Sequence, residues 1–169
     1  MQNLVNTLNG FIWSNALILL ALGAGLFFSI KTKFVQIRLF KEMIRLLMSG
    51  TSSKLGISPF QALSVSLSGR VGTGNIAGVA AAIGFGGPGA IFWMWVVAFF
   101  GASTAYIEST LGQIFKEESE GQYRGGPAYY IEKAMGAKWY ALFFAVATII
   151  ATGILLPGVQ ANSIGNAAE

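Results

Sequence analysis

Eight residues in the middle of a long apolar stretch carry most of the chemistry in this sequence. The segment Ser68 to Asn75, SGRVGTGN, places three glycines, an arginine, a threonine and an asparagine where a lipid-facing helix would be apolar. Irregular backbone at membrane depth is tolerated only where protein buries it or where it lines a cavity. The freed N–H and C=O groups of two half-helices can then hold an anion at one end and a cation at the other. The segment therefore predicts a binding site on a broken membrane helix.

The residues on either side of this segment are typical of a helix. Ser58 suits the N-cap position, Pro59 suits the first helical position, and Gln61 completes the spacing of a capping box. The chain becomes apolar again from Ile76 to Ile83. We therefore expect one discontinuous membrane span over residues 57–83.

Two other interpretations of the break compete with a binding role. Gly74, Gly78 and Ala82 form a small-xxx-small series that lets a second helix approach. We assign Gly78 and Ala82 to packing and residues 73–75 to function. Residues 72–77 also imitate a dinucleotide-binding fingerprint, but an apolar run stands where that motif needs an acidic residue about 20 positions later. We therefore reject a dinucleotide site.

The composition is that of a membrane protein. Hydrophobic residues make up 54% of the chain and charged residues 11%, against about 25% charged residues in soluble domains. Apolar runs long enough to cross a hydrocarbon core of ~30 Å predict an all-α integral membrane fold. The expected spans are residues 12–30, 57–83, 90–114 and 139–168, the last kinked at Pro157.

The missing residue types exclude several kinds of chemistry. The chain has no cysteine and no histidine, which excludes disulfides, thiolate metal sites and imidazole acid–base chemistry. No pair of carboxylates lies at the expected membrane depth either. We therefore expect neither an enzyme nor a covalent cofactor, and no nucleic-acid partner.

The basic residues predict the orientation of the chain. Of the 11 lysines and arginines, six lie between Lys31 and Lys54, four lie between Lys116 and Lys138, and only Arg70 lies elsewhere. Short loops rich in Lys and Arg stay on the cytoplasmic side. We expect a multi-pass protein of the plasma or inner membrane, with both basic loops inside and the N-terminus outside.

Both basic loops have patterns of their own. Residues 34–48, FVQIRLFKEMIRLLM, predict an amphipathic helix in the inner interface, its basic side towards anionic headgroups. A connecting helix packed on the bundle is the alternative. The second loop, residues 116–138, is expected to be cytoplasmic and to contain a short helix over Ala128 to Met135.

Two charged residues fall within the expected spans. The charge of Arg70 costs free energy at membrane depth, so Arg70 is a candidate for a functional role. Glu108 is the other intramembrane charge and the expected partner of Arg70. Such a pair would serve either as an inner gate or as a static strut.

Three strings resemble the sodium:alanine symporter family, also called alanine or glycine:cation symporters. They are GTGNIAGVA at residues 72–80, GGPGAIFWMWV at residues 86–96 and GGPAYY at residues 125–130. The likeness covers essentially the whole chain. Members of that family have some ten or eleven spans, so the chain resembles the N-terminal portion of such a carrier and is incomplete relative to the family.

The resemblance implies a fold and a function. The fold would be the leucine-transporter type, with five-plus-five inverted repeats, in which the second span here is the broken first helix of the first repeat. The function would be sodium-coupled symport of a small neutral amino acid such as alanine or glycine. A truncated, non-transporting membrane fragment with a structural or partner-binding role is the alternative. Expected partners are the amino acid, Na⁺, the bilayer and the missing C-terminal half of the carrier.

The resemblance also implies roles for particular residues. Gln160 would bind the amino acid, or it would only mark the outer end of its helix together with Asn162 and Asn166. The implied substrate-binding residues are Gly72, Thr73, Gly74, Asn75 and Gln160. The implied sodium ligands are Ser68, Val71 and Asn75.

Overall fold

The computed structural model describes residues 2–50, 52 and 56–168. This part of the chain is almost entirely helical, as predicted. In chain order the helices are α1 (Gln2–Ile12), α2 (Asn15–Lys31), α3 (Val35–Arg38), α4 (Phe40–Ser49), α5 (Pro59–Ser68), α6 (Val79–Gly86), α7 (Gly89–Ile114), α8 (Pro127–Met135), α9 (Lys138–Ile150) and α10 (Leu156–Ala168). Two π-helical turns, Gly74–Gly78 and Ala151–Leu155, precede α6 and α10, and strands β1 (Glu117–Ser119) and β2 (Gln122–Arg124) form a hairpin.

Three helical segments among the described residues are long and apolar enough to cross a membrane. They are Gln2–Lys31, Gly89–Ile114 and Lys138–Ala167. The first begins well before the predicted start at residue 12, because α1 precedes α2 with only Trp13 and Ser14 between them. The result confirms an all-α membrane fold.

The second predicted span is two short helices with a break between them. The capping box at its start forms as expected: Ser58 N donates to Gln61 Oε1 at 2.9 Å, and Gln61 N donates to Ser58 Oγ at 3.2 Å. Helix α5 has 10 residues, and the helical segment Gly74–Gly86 follows the break. At 1.5 Å per residue, neither half reaches the ~30 Å of a hydrocarbon core.

Helices α2 and α7 pack closely against each other. Ser29 and Ser103 are completely buried there, and Ser29 Oγ donates to Ser103 Oγ at 3.1 Å. The backbones come close at Gly25, where a Cβ would lie 2.8 Å from Phe100 Cβ. Gln36 Nε2 closes the cluster by donating to Ser29 Oγ at 3.1 Å. Small residues and side-chain hydrogen bonds are the usual contacts between membrane helices.

The predicted amphipathic helix over residues 34–48 is two helices, α3 and α4, which meet at Leu39. Lys33 and Phe34 both have left-handed backbone conformations, with φ of 54° and 51°, and they turn the chain from α2 into α3. Val35 is then buried, since α3 packs on α7.

The loop over residues 116–138 contains a hairpin that the sequence analysis did not predict. Glu117 pairs with Arg124, and Ser119 pairs with Gln122. Glu120 and Gly121 both have positive φ, which is the requirement of a two-residue type I′ turn. The short helix predicted from Ala128 to Met135 is confirmed as α8.

The last long helix is irregular near Pro157, as expected. The π-helical turn Ala151–Leu155 lies one turn before the predicted kink. Proline lacks an N–H, and its ring collides with the carbonyl four residues earlier. A π-helical turn, with hydrogen bonds between residues five apart, accommodates the missing N–H and relieves the collision.

Candidate functional site

The break in the second span faces α10 across a cavity of about 210 Å³. All five predicted substrate-binding residues line it, and they come from two elements that are some 85 positions apart in the sequence. The lining residues are Gly69, Arg70, Val71, Gly72, Thr73, Gly74 and Asn75 from the break, with Leu156, Val159 and Gln160 from α10.

The backbone of the break leaves donors unpaired at the start of the second half-helix. The end of α5 is closed by Val71 N, which donates to Leu67 O at 3.1 Å. The next helical segment starts at the hydrogen bond that Asn75 N donates to Gly72 O, at 3.1 Å. Between these bonds, the N–H groups of Gly72 and Thr73 make no hydrogen bond to any described residue. Unpaired N–H groups at a helix N-terminus attract an anion, and the helix dipole strengthens that attraction.

Gln160 reaches the break from α10. A Cβ on residue 72 would lie 3.1 Å from Gln160 Nε2, so the amide lies directly over Gly72. Gln160 is half-buried, whereas Val159 and Ala161 on either side of it are exposed. The structure therefore brings Gln160 and the break together.

The apolar wall of the cavity was missed by the sequence analysis. Leu156 and Val159 line it beside Gln160. They precede Gln160 by four positions and by one, and the four-residue spacing puts Leu156 on the same face of the helix. That spacing is the signal that would have identified Leu156.

The predicted sodium ligands divide between two positions. Val71 and Asn75 line the cavity, whereas Ser68 lies outside it. The Ser68 hydroxyl donates to Val65 O at 2.9 Å, within its own helix. The carbonyl groups of Ser68 and Val71 accept no hydrogen bond from the described backbone. These two carbonyl oxygens and the Asn75 amide are hard donors of the kind that Na⁺ coordinates.

Arg70 and Glu108 do not form an ion pair in this structure. Arg70 lines the cavity with an exposed side chain. The ion pairs of the described residues are Glu42–Arg45, Glu120–Arg124 and Glu117–Lys133. A gate or strut made by Arg70 and Glu108 is therefore absent from this conformation, and its formation in another conformation remains a prediction.

Glu108 instead influences the loop over residues 116–138. Partial burial raises the pKa of the Tyr130 phenol on α8, and the negative charge of Glu108 raises it further, with a smaller effect from Tyr140. Glu108 therefore acts on α8, which packs against α7.

A second, larger depression follows a single face of α7. It has a volume of about 390 Å³ and contains none of the predicted site residues. Its lining residues are Tyr106, Ser109, Thr110, Gln113 and Ile114. One helix provides the whole lining, so no second element brings polar groups together there.

Comparisons with known proteins agree with the residue pattern. The model of the sodium:alanine symporter family matches residues 1–169. The putative sodium/proton-dependent alanine carrier protein YrbD of Bacillus subtilis is 60% identical over 97% of this chain and 34% of its own length. The probable sodium/glutamine symporter GlnT of the same organism is 46% identical over 100% of this chain and 36% of its own length. The sodium/alanine symporter AgcS of Methanococcus maripaludis is 40% identical over 98% of this chain and 38% of its own length.

These matches concern sequence alone, because no solved structure gives a significant match. The chain spans about a third of the length of the curated relatives that it matches.

Proposed function

This chain belongs to the sodium:alanine symporter family, and from that membership we propose that it supplies one side of the binding site in cation-coupled symport of a small neutral amino acid such as alanine or glycine. The helices would form part of a leucine-transporter-type inverted-repeat fold in the cell membrane. The basic loops would lie inside and the N-terminus outside. No bond is made or broken, since a cation gradient would drive the movement of the solute across the membrane.

One observation carries the proposal: the broken helix and Gln160 share a single cavity. Its volume of about 210 Å³ is smaller than the roughly 300–1,000 Å³ of drug-sized pockets. A ligand with few heavy atoms suits that space. The apolar side chains of Leu156 and Val159 suit a short aliphatic group on the ligand.

The free backbone donors would bind the carboxylate of the amino acid. The N–H groups of Gly72 and Thr73 lie at the start of the helical segment Gly74–Gly86, where the dipole favours negative charge. The Gln160 amide lies above Gly72 and would add a side-chain hydrogen bond to the same ligand.

The coupling ion would bind beside the solute. The carbonyl groups of Ser68 and Val71 and the amide oxygen of Asn75 would supply oxygen ligands to Na⁺. Both ligands would order the same break, so binding of either one would favour binding of the other. Such coupling is reciprocal by thermodynamic necessity.

A chimaeric carrier tests this proposal. The chain would replace the matching segment of the Bacillus subtilis relative that is 60% identical to it, and sodium-dependent alanine uptake would be measured. We expect uptake by the chimaera. Gln160→Ala should lower uptake by roughly 10-fold or more, because a hydrogen bond to a charged ligand contributes about 1.5–3 kcal/mol. Asn75→Ala should also lower uptake, because it removes an oxygen ligand of Na⁺.

The matched control is Asn166→Ala, which changes another amide on α10 outside the cavity and should leave uptake unchanged. Equal uptake by all three variants would remove Asn75 and Gln160 from the site. A chimaera that reaches the membrane but takes up no alanine would favour the structural or partner-binding role.

A further inference from the structure

Helix α4 has one apolar side and one charged side, and the described protein leaves the apolar side open. None of its residues is buried. Phe40, Met43 and Met48 are 58%, 53% and 79% exposed. The apolar side is formed by Phe40, Met43, Ile44, Leu47 and Met48, and the other side by Lys41, Glu42, Arg45 and Ser49.

Both ends of α4 are attached to the ends of membrane spans. Before α4, Arg38 Nη2 donates to Thr32 O at 3.3 Å, at the end of α2. After α4, Gly50 packs so closely on Pro59 that a Cβ on residue 50 would lie 2.4 Å from Pro59 Cγ. Pro59 begins the second span, so the two attachment points lie at the same membrane face.

The position of α4 follows from these attachments. With 10 residues the helix is ~15 Å long, which is too short to cross a membrane. A helix that starts and ends at one membrane face must lie along that face. Its apolar side then meets either acyl chains or another protein surface.

The charges around α4 favour lipid. The stretch from Lys31 to Arg45 has five basic residues and one glutamate, a net charge of +4, which equals the net charge of the whole chain. Arg45 pairs with Glu42, whereas Lys33 and Lys41 form no ion pair with a described residue. A surface of this charge is attracted to anionic lipids by about 1 kcal/mol for each basic residue.

We propose that α4 lies in the membrane interface, with its apolar side among the acyl chains and with Lys33 and Lys41 bound to anionic lipid headgroups. Burial of apolar side chains and attraction to anionic headgroups act together in such helices. The proposal concerns the lipid surface and does not depend on which solute is carried.

The absence of native cysteine makes a direct test practical. Ile44→Cys and Ser49→Cys place a fluorescent label on the apolar side and on the charged side of α4, about 140° apart around the helix. The labelled full chain is reconstituted in phosphatidylcholine vesicles with or without phosphatidylglycerol. Quenching is then measured with lipids spin-labelled on the acyl chain and with aqueous iodide.

We expect the label at position 44 to be quenched by the spin-labelled lipid, and the label at position 49 to be quenched by iodide. Equal iodide quenching at both positions would overturn the proposal. Protection of position 44 from both quenchers would also overturn it, because a protein surface, from a second copy or another segment, would then cover the helix.

The headgroup is tested with the label at position 44 and with spin-labelled phosphatidylglycerol or phosphatidylcholine. Lys33→Gln and Lys41→Gln should each lower the preference for phosphatidylglycerol by about fivefold at low salt, and added salt should reduce the preference. Lys116→Gln, on the other basic loop, is the control and should not change it. An undiminished preference in the double variant Lys33→Gln, Lys41→Gln would contradict a role for these lysines.

Discussion

At the scale of single residues, Gly72 and Gln160 make the contact that joins the two sides of the cavity. Gln160 Nε2 lies where a Cβ on residue 72 would be 3.1 Å away. A methyl group at position 72 would therefore push the amide away from the break by a few tenths of an ångström. Glycine at position 72 allows this close approach, and its φ is not unusual.

The residue-scale prediction is that Gly72→Ala weakens alanine binding by the chimaeric carrier. Loss of one hydrogen bond costs about 1 kcal/mol, so we expect a roughly fivefold loss of affinity. The affinity is measured from the binding of isotope-labelled alanine in sodium buffer.

The Gln160→Ala background is the control for that prediction. If Gly72→Ala acts by displacing the amide, the substitution should have little further effect once the amide is gone, which is the logic of a double-mutant cycle. An equal loss of affinity in both backgrounds would mean that Gly72 acts independently of Gln160.

At the scale of elements, packing of α2 against α7 depends on one close approach. A Cβ on Gly25 would lie 2.8 Å from Phe100 Cβ and 3.1 Å from the Phe100 carbonyl oxygen. One of these neighbours is backbone and cannot rotate away. The buried pair Ser29 and Ser103 lies next to this contact.

We therefore expect Gly25→Ala to destabilise the protein by about 1–3 kcal/mol, the usual cost of overpacking. Gly23→Ala is the matched control, because nothing lies within 4 Å of a Cβ at that position and alanine favours helix by roughly 0.5–1 kcal/mol. Thermal unfolding in detergent measures the stability of both variants relative to the parent chain. The interface is not close-packed if both variants unfold at or above the temperature of the parent chain.

Elements that depend on local sequence were predictable. The capping box at Ser58, the break after Ser68, the start of α8 at Pro127 and the irregularity near Pro157 all follow from glycine, proline and capping residues. Each of these features is determined within a few residues of the chain.

Features that depend on the pairing of strands or on the rotation of a helix were harder to predict from the sequence. The β1–β2 hairpin was missed because two of the three residues of β1 are glutamates, which are uncommon in strands, although Glu120-Gly121 resembles the Asp-Gly turn signal. The Arg70–Glu108 pair was expected from the scarcity of charge alone. Sequence cannot give the rotation of α7, which in this structure brings Glu108 near Tyr130.

At the scale of the whole molecule, the described chain has little core of its own. Its buried hydrophobic residues are Val35, Ile131 and Ala141, whereas many large apolar side chains are exposed along the long helices. Exposed apolar surface of this extent marks contact with membrane or protein. This surface suits contact with acyl chains or with other membrane helices, and the polar break lies where α10 can cover it.

The measurement that tests the account most directly is protection of the cavity by its solute. Val159→Cys introduces a thiol on the cavity wall of a chain with no other cysteine, in a chimaera whose partner segment has been made cysteine-free. Its rate of modification by a methanethiosulfonate reagent is measured with and without alanine, in sodium and in choline buffer. Asn166→Cys, on the same helix but outside the cavity, is the control.

The account predicts that alanine at ten times its dissociation constant slows modification of position 159 about tenfold in sodium, as mass action requires. It predicts no slowing in choline and none at position 166. A modification rate at position 159 that alanine does not change in sodium would contradict a solute site between the broken helix and α10.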